Sequence, residues 1–539
     1  MAQDEQHAPL LAGGRPGDES KPGDVQASER ADGDTSGMRW WPECKRVLRL
    51  AVPVSLSEVV SFVAYLITTA QVGRLGTLEL SAITLARSVY HITGMSLVVG
   101  MASAVETFCG QAYGAAHYPV LGLVLQRAVT LCLLTCLLPL GLWLRGDWVM
   151  GQLMGQRPEV VPLAASYLRL LGPALVMWAV SCCIKNYLSS QGVVTPLTVV
   201  ASICTLATAA LNHVFMFSLG LGMQGAAVAY NLLVALELLL LIGTMAWLHM
   251  YGQAPGCRTW CGFSVQAFRG WGKYLRIALP SGAAICLDWW TYEAVILMAG
   301  LLPDAKVQLG TMGLAFDTHA LLFMVVGGFS TAASTRVSNE LGAGRGRWAR
   351  FAALVALGLG MAAPLGISGG LLATPRQWAA LFTKDDTIIG LVASLMPVLT
   401  LSNLADSVVS VLSGVLRGSG RQELAFKVNL AAFWFLGLPL AARLAIHHHL
   451  GALGLWMAMG LASALQAVIL MVSVLRFDWA EEARKALRRV AATEAGMRQA
   501  AAEAAEAAGP PLPPHVPLHA GMDSRHGVHE PILTLEHTI

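Results

Sequence analysis

From about Leu50 to Leu475 the chain alternates between apolar runs of roughly twenty residues and short polar breaks, and about twelve such runs can be counted. A run of that length crosses a bilayer only as a helix, because backbone groups in lipid must be satisfied within the segment. None shows the alternation of a membrane barrel strand. The run from about Tyr274 to Met298 stands apart. Its segment Cys286-Leu-Asp-Trp-Trp-Thr-Tyr-Glu293 sets two carboxylates and three aromatic rings inside apolar sequence. An acid near mid-bilayer costs about 2.5–3.5 kcal/mol, so Asp288 and Glu293 are expected to face a bundle interior or a wet cavity. This span is the first candidate site.

The pattern also repeats. Arg49-Leu-Ala-Val-Pro53 returns as Arg276-Ile-Ala-Leu-Pro280, an offset of 227. Gly114-Ala115 returns as Gly342-Ala343, and Tyr187-Leu-Ser-Ser-Gln-Gly192 as Val415-Leu-Arg-Gly-Ser-Gly420, both at an offset of 228. Register held over about 140 residues predicts an all-α membrane protein of two six-helix lobes related by a parallel repeat. The predicted organisation is a polar tail at 1–40, a first lobe at 41–250, a linker at 251–273 and a second lobe at 274–476. An Ala-rich charged helix at 477–508 and a Pro-broken tail at 509–539 follow.

Basic residues set the expected orientation. Arg269, Lys273, Arg276, Arg345, Arg347, Arg350, Arg417, Arg421 and Lys427 cluster at breaks of one parity, together with the segment after Arg476. Breaks of the other parity are poorer in them, which places both termini in the cytosol. Two halves rocking about a midplane site favour a transporter over a channel or an enzyme.

Composition agrees. Hydrophobic residues make up 55% and charged residues 13%, against about 25% charged in soluble domains, and the mean hydropathy is +0.58. Most of the ten cysteines fall in apolar runs and are expected to pack as small hydrophobes. Cys257 and Cys261 have half of a zinc spacing, but no second pair lies near them and no metal is expected. His447-His448-His449 splay apart in a short turn and are not read as a metal site either. No phosphate loop, Ser-His-Asp order, His-Glu-x-x-His or dinucleotide fingerprint occurs in the membrane core, so no catalytic residue, cofactor or nucleic-acid partner is expected.

Five motifs give the chain a family resemblance over about 47–490. They are Val72-Gly-Arg-Leu-Gly76, Cys109-Gly-Gln-Ala-Tyr-Gly114, Cys286-Leu-Asp-Trp-Trp, Arg336-Val-Ser-Asn-Glu-Leu-Gly-Ala-Gly344 and Gly414-Val-Leu-Arg-Gly-Ser-Gly420. In their order and spacing the chain resembles the multidrug and toxin extrusion family, antiporters that expel organic compounds in exchange for protons or sodium ions. Gly300-Leu-Leu-Pro-Asp-Ala-Lys306 resembles the plant branch and Asp317 the animal branch, which a green-lineage source would reconcile. The resemblance implies that Asp288, Glu293, Asp317 and Asp406 serve proton coupling and cation recognition. Asp288 stands where the family more commonly has glutamate, one methylene longer.

The residues themselves bear on those roles. Asp288 and Glu293 are about 140° apart on an ideal helix, so either the span bends after Pro280-Ser-Gly282 or it has polar surroundings on two sides. Asp317 and Asp406 lie mid-span and are expected to face one cavity. Trp289, Tyr292 and Trp290 interleave the acids and suit an organic cation, which a ring face attracts by up to about 2 kcal/mol. Glu58 in the first span is a second candidate cation contact, while Glu106 and Arg87 are expected to snorkel. Glu237 has no polar neighbour close in sequence. His91 and His319 are repeat equivalents, expected as core histidines or a proton relay.

The expected function is therefore export of organic cations, xenobiotics or metabolites in exchange for protons, by a monomer in the plasma or vacuolar membrane. Sodium coupling, organic-anion export (citrate or flavonoid) and lipid-linked flipping are the alternatives.

Overall fold

The computed structural model describes residues 38–156, 158–251, 259–260, 262–382 and 385–507. Cys257, Cys261 and the expectations for 1–37 and 509–539 lie outside them. Among the described residues all regular structure is helical. The first half runs α1 (Trp40–Gly73), α2 (Leu78–Gly114), α3 (Tyr118–Leu144), α4 (Val161–Leu170), α5 (Gly172–Ser190), α6 (Thr195–Ser218) and α7 (Gly222–Tyr251). The second runs α8 (Trp271–Ala299), α9 (Val307–Gly342), α10 (Gly346–Ala373), α11 (Asp386–Ser419), α12 (Gln422–His447) and α13 (Gly451–Leu475). A polar helix, α14 (Trp479–Ala507), follows.

Ten of these helices are long and apolar enough to span a membrane, and α4 with α5, meeting at 46°, make an eleventh if taken as one span. Gly172-Pro173 accounts for that break, since Pro173 lacks the N–H that would continue the helix. At 29 residues α8 is long enough to cross, but its acids and their aromatic neighbours dilute its hydropathy, and it is not among the ten. The expected count of about twelve depends on it.

The internal repeat has a structural counterpart. Thr107 donates to the carbonyl of Arg417 (2.5 Å), and its repeat equivalent Thr335 donates to that of Ser189 (3.2 Å). Gln111 donates to Gly418 O at 3.0 Å, and Asn339, with its amide nitrogen turned inward, donates to Ser190 O at 3.2 Å. Every pair is matched 228 residues on, as a two-fold axis between the halves requires. Gly114 lies on the backbone of Asn339 and Gly342 on that of Gln111, leaving no room for a Cβ at either. The glycines shared by the repeats are thus where the halves touch.

The ends of α2, α9 and α11 meet the start of α1 at one face of the bundle. There Arg336 reaches Glu43 (2.8 Å) and Glu340 (2.6 Å), while Arg345 reaches Glu340 (2.7 Å). Glu106 does not snorkel; it is buried and paired with Arg417 at 3.1 Å. Arg87 likewise turns inward to Thr69 Oγ1 (3.0 Å) and covers the Tyr65 ring.

The chain to Glu494 is one compact unit and the segment from Ala495 another. Within the first, the start of α14 joins the core through Trp479, Ala483 and Ala486, and Arg421 pairs with Glu482.

Candidate functional site

The α8 span carries different chemistry on its two sides. Toward α2, Cys286 meets Ser96 Oγ (3.4 Å), Trp290 donates to Ile92 O (3.2 Å) and Ser88 donates to Glu293 (3.4 Å). Toward the second half, Asp288 accepts from Asn429 Nδ2 at 2.5 Å. Of the two arrangements open to this sequence, the structure has polar surroundings on two sides of a continuous helix.

Asn429 anchors α8 as well as its acid. Its amide nitrogen also reaches Ala284 O (3.0 Å), and Trp434 donates to Leu287 O (3.3 Å). Asn429 immediately precedes a π-type turn, Leu430–Gly437, in α12. Such turns re-aim side chains within a helix.

Asp406, buried on α11, lies close enough to Asp288 to feel its charge, with Tyr292 beside both. Ser402 donates to Asp406 at 3.4 Å. His319 Nδ1 stands 3.8 Å from the same carboxylate and 2.6 Å from Asn403 Oδ1. The Tyr292 ring packs on His319 and Phe316, with centroids at 5.1 and 5.7 Å. Asp288 is only half-buried.

Not every candidate joins this cluster. Asp317 is exposed, whereas Asp406 is buried, and the neighbour of Asp317 that reaches Asp406 is His319. Glu293 faces Ser88, Trp290 is turned to α2, and the Trp289 ring lies 6.1 Å from His91. Glu58 belongs to a separate group in the first half, near Lys185 and Glu237, and is exposed.

Two members escaped sequence reasoning. Lys185 pairs with Glu237 at 3.0 Å, so the acid without polar neighbours in sequence has one in space. A lysine inside an apolar run is as costly as an acid, and that signal would have found it. Asn429 carries no charge, and nothing in its sequence context points to Asp288.

The MatE family model matches residues 53–214 and 280–442, twice over and in the register of the internal repeat. The chain belongs to the MATE family. It is 34% identical over 474 residues to Protein DETOXIFICATION 16 of Arabidopsis thaliana, covering 86% of this chain and 95% of that one. It is 33% identical over 444 residues to human Multidrug and toxin extrusion protein 1, covering 82% of this chain and 76% of that one. The crystal structure of the eukaryotic MATE transporter AtDTX14 superposes with a TM-score of 0.79 at 32% identity, over 84% of this chain and 99% of the other. This is a multi-pass membrane protein of a eukaryotic MATE type, a transporter family and not an enzyme one, and similar to plant and human members alike.

Proposed function

We propose that this MATE protein is a secondary antiporter that exports organic cations in exchange for protons, with Asp288 and Asp406 as the exchanging groups. The observation that carries the reading is the hydrogen bond from Asn429 to Asp288 at 2.5 Å, with Asp406 and the Tyr292 ring nearby, on an acid that still has accessible surface. Burial disfavours the charged form of a carboxyl unless a counter-charge arrives. A proton or an organic cation can supply that charge, and occupancy by one excludes the other. Tyr292 offers a ring face that favours a desolvated organic cation.

The basic face, where Arg336, Arg345 and Arg417 are paired, is assigned to the cytosol. Closed there, the bundle would take protons from the opposite side, and release of substrate to that side would follow protonation. Each pH unit supplies about 1.4 kcal/mol per proton, a tenfold accumulation of a neutral solute. Lys185 is already paired with Glu237, which argues against a site built for phosphate or carboxylate cargo.

The test is uptake of ethidium into liposomes of the purified protein under an imposed pH gradient, repeated with a sodium gradient. Asp288→Asn should abolish pH-driven exchange while the protein remains folded and inserted. Normal exchange by that variant would sink the assignment, and exchange driven by sodium alone would replace the coupling ion.

A further inference from the structure

His319 is held between two acceptors carried by one helix. Its Nδ1 is 2.6 Å from Asn403 Oδ1 and 3.8 Å from Asp406 Oδ2, with the His319 and Asp406 side chains 6% and 11% exposed. An amide oxygen only accepts, so Nδ1 carries the hydrogen and Asn403 receives it. Positions 403 and 406 are three apart on α11 and therefore neighbours on one face. A small turn of the ring exchanges one acceptor for the other without backbone movement.

Aromatic rings surround it. Tyr292, Trp456 and Phe323 lie around it with centroids at 5.1, 5.6 and 6.3 Å. The ionisable groups about this point are Asp406 on α11 and Asp288 and Tyr292 on α8, while α13 offers Ser463 and Trp456; Asp317, two positions before His319 on the same helix, is exposed. The amide nitrogen of Asn403 is buried without a partner, so this asparagine holds its place through the one bond to His319.

We propose that His319 is a positioning residue for Asp406, its N–H resting on Asn403 while Asp406 holds a proton and turning to the carboxylate when that proton leaves. The inference rests on the reading that Asp406 changes protonation during transport. It goes further in naming what receives the carboxylate when its proton is gone. The proton itself passes to water; His319 keeps its own.

A measurement independent of any substrate tests this: infrared difference spectra of the full-length protein in liposomes, titrated over pH. The carboxylic acid band of Asp406 is identified by its loss in Asp406→Asn. His319→Leu removes the donor that receives the carboxylate, so the midpoint of that band should rise by about one pH unit, a tenfold change in proton affinity. His319→Gln, which keeps an N–H, should restore most of the shift. Asn403→Leu removes the competing acceptor, so the midpoint should fall. A merely structural role would not move the two midpoints in opposite directions. If Asp406→Asn removes no titrating band, the underlying reading fails. If the band is there but stays in place in His319→Leu and Asn403→Leu, only the role of His319 fails.

Discussion

Arg417 at the end of α11 donates Nε–H to Glu106 near the end of α2, joining the two halves across 3.1 Å, and a second nitrogen of the same guanidinium donates to Ser330 at 3.0 Å. Both partners are largely withdrawn from solvent, with side chains 20% and 11% exposed. In such a place the pair matters less for its net attraction than for what one member alone would cost.

Glu106→Ala is therefore expected to lower stability by up to about 3–5 kcal/mol, because it strands a buried guanidinium. Glu106→Ala with Arg417→Leu should recover part of that loss, since neither charge is left behind. Thermal unfolding of the two variants in detergent checks it, and equal losses would mean that the pair is not coupled.

Docking of α14 should weaken in acid. Burial pushes the Glu482 carboxyl up, but hydrogen bonding and charge from Arg421, then Lys485, outweigh it and hold the group below the ordinary glutamate range. An acid so depressed contributes stability above its unfolded value, about 4.3, and that contribution is lost as pH falls through the lower folded value. Limited proteolysis after residue 478 should thus accelerate below about pH 4, and Glu482→Gln should show the faster cleavage already at neutral pH.

Gly342→Ala should be far more damaging than Gly366→Ala. A Cβ at Gly342 strikes the Gln111 backbone, which cannot turn aside, whereas nothing lies within 4 Å of one at Gly366. Overpacking of this kind costs about 1–3 kcal/mol, while alanine in an open helix position gains up to about 1 kcal/mol. Gly114→Ala, striking Asn339, should reproduce the Gly342 effect by symmetry. Thermal stability of the three variants, compared side by side, decides it.

The α-helical membrane architecture was legible along the chain, because lipid leaves an apolar run no other way to satisfy its backbone. The two-fold relation was legible too: duplicated glycines at a constant offset have to meet equivalent surroundings, as Gly114 and Gly342 do. Asp288 announced itself by the cost of placing an acid in an apolar span. Which partners those residues would find was not written locally. Asn429 lies 141 positions from Asp288, Arg417 lies 311 from Glu106, and Lys185 lies 52 from Glu237. Each pairing depends on which faces of two helices are turned together, and packing of the whole bundle sets that rotation. The same rotation separates Asp317, open to its surroundings, from the buried Asp406, and leaves His319 as the side chain of α9 that reaches it.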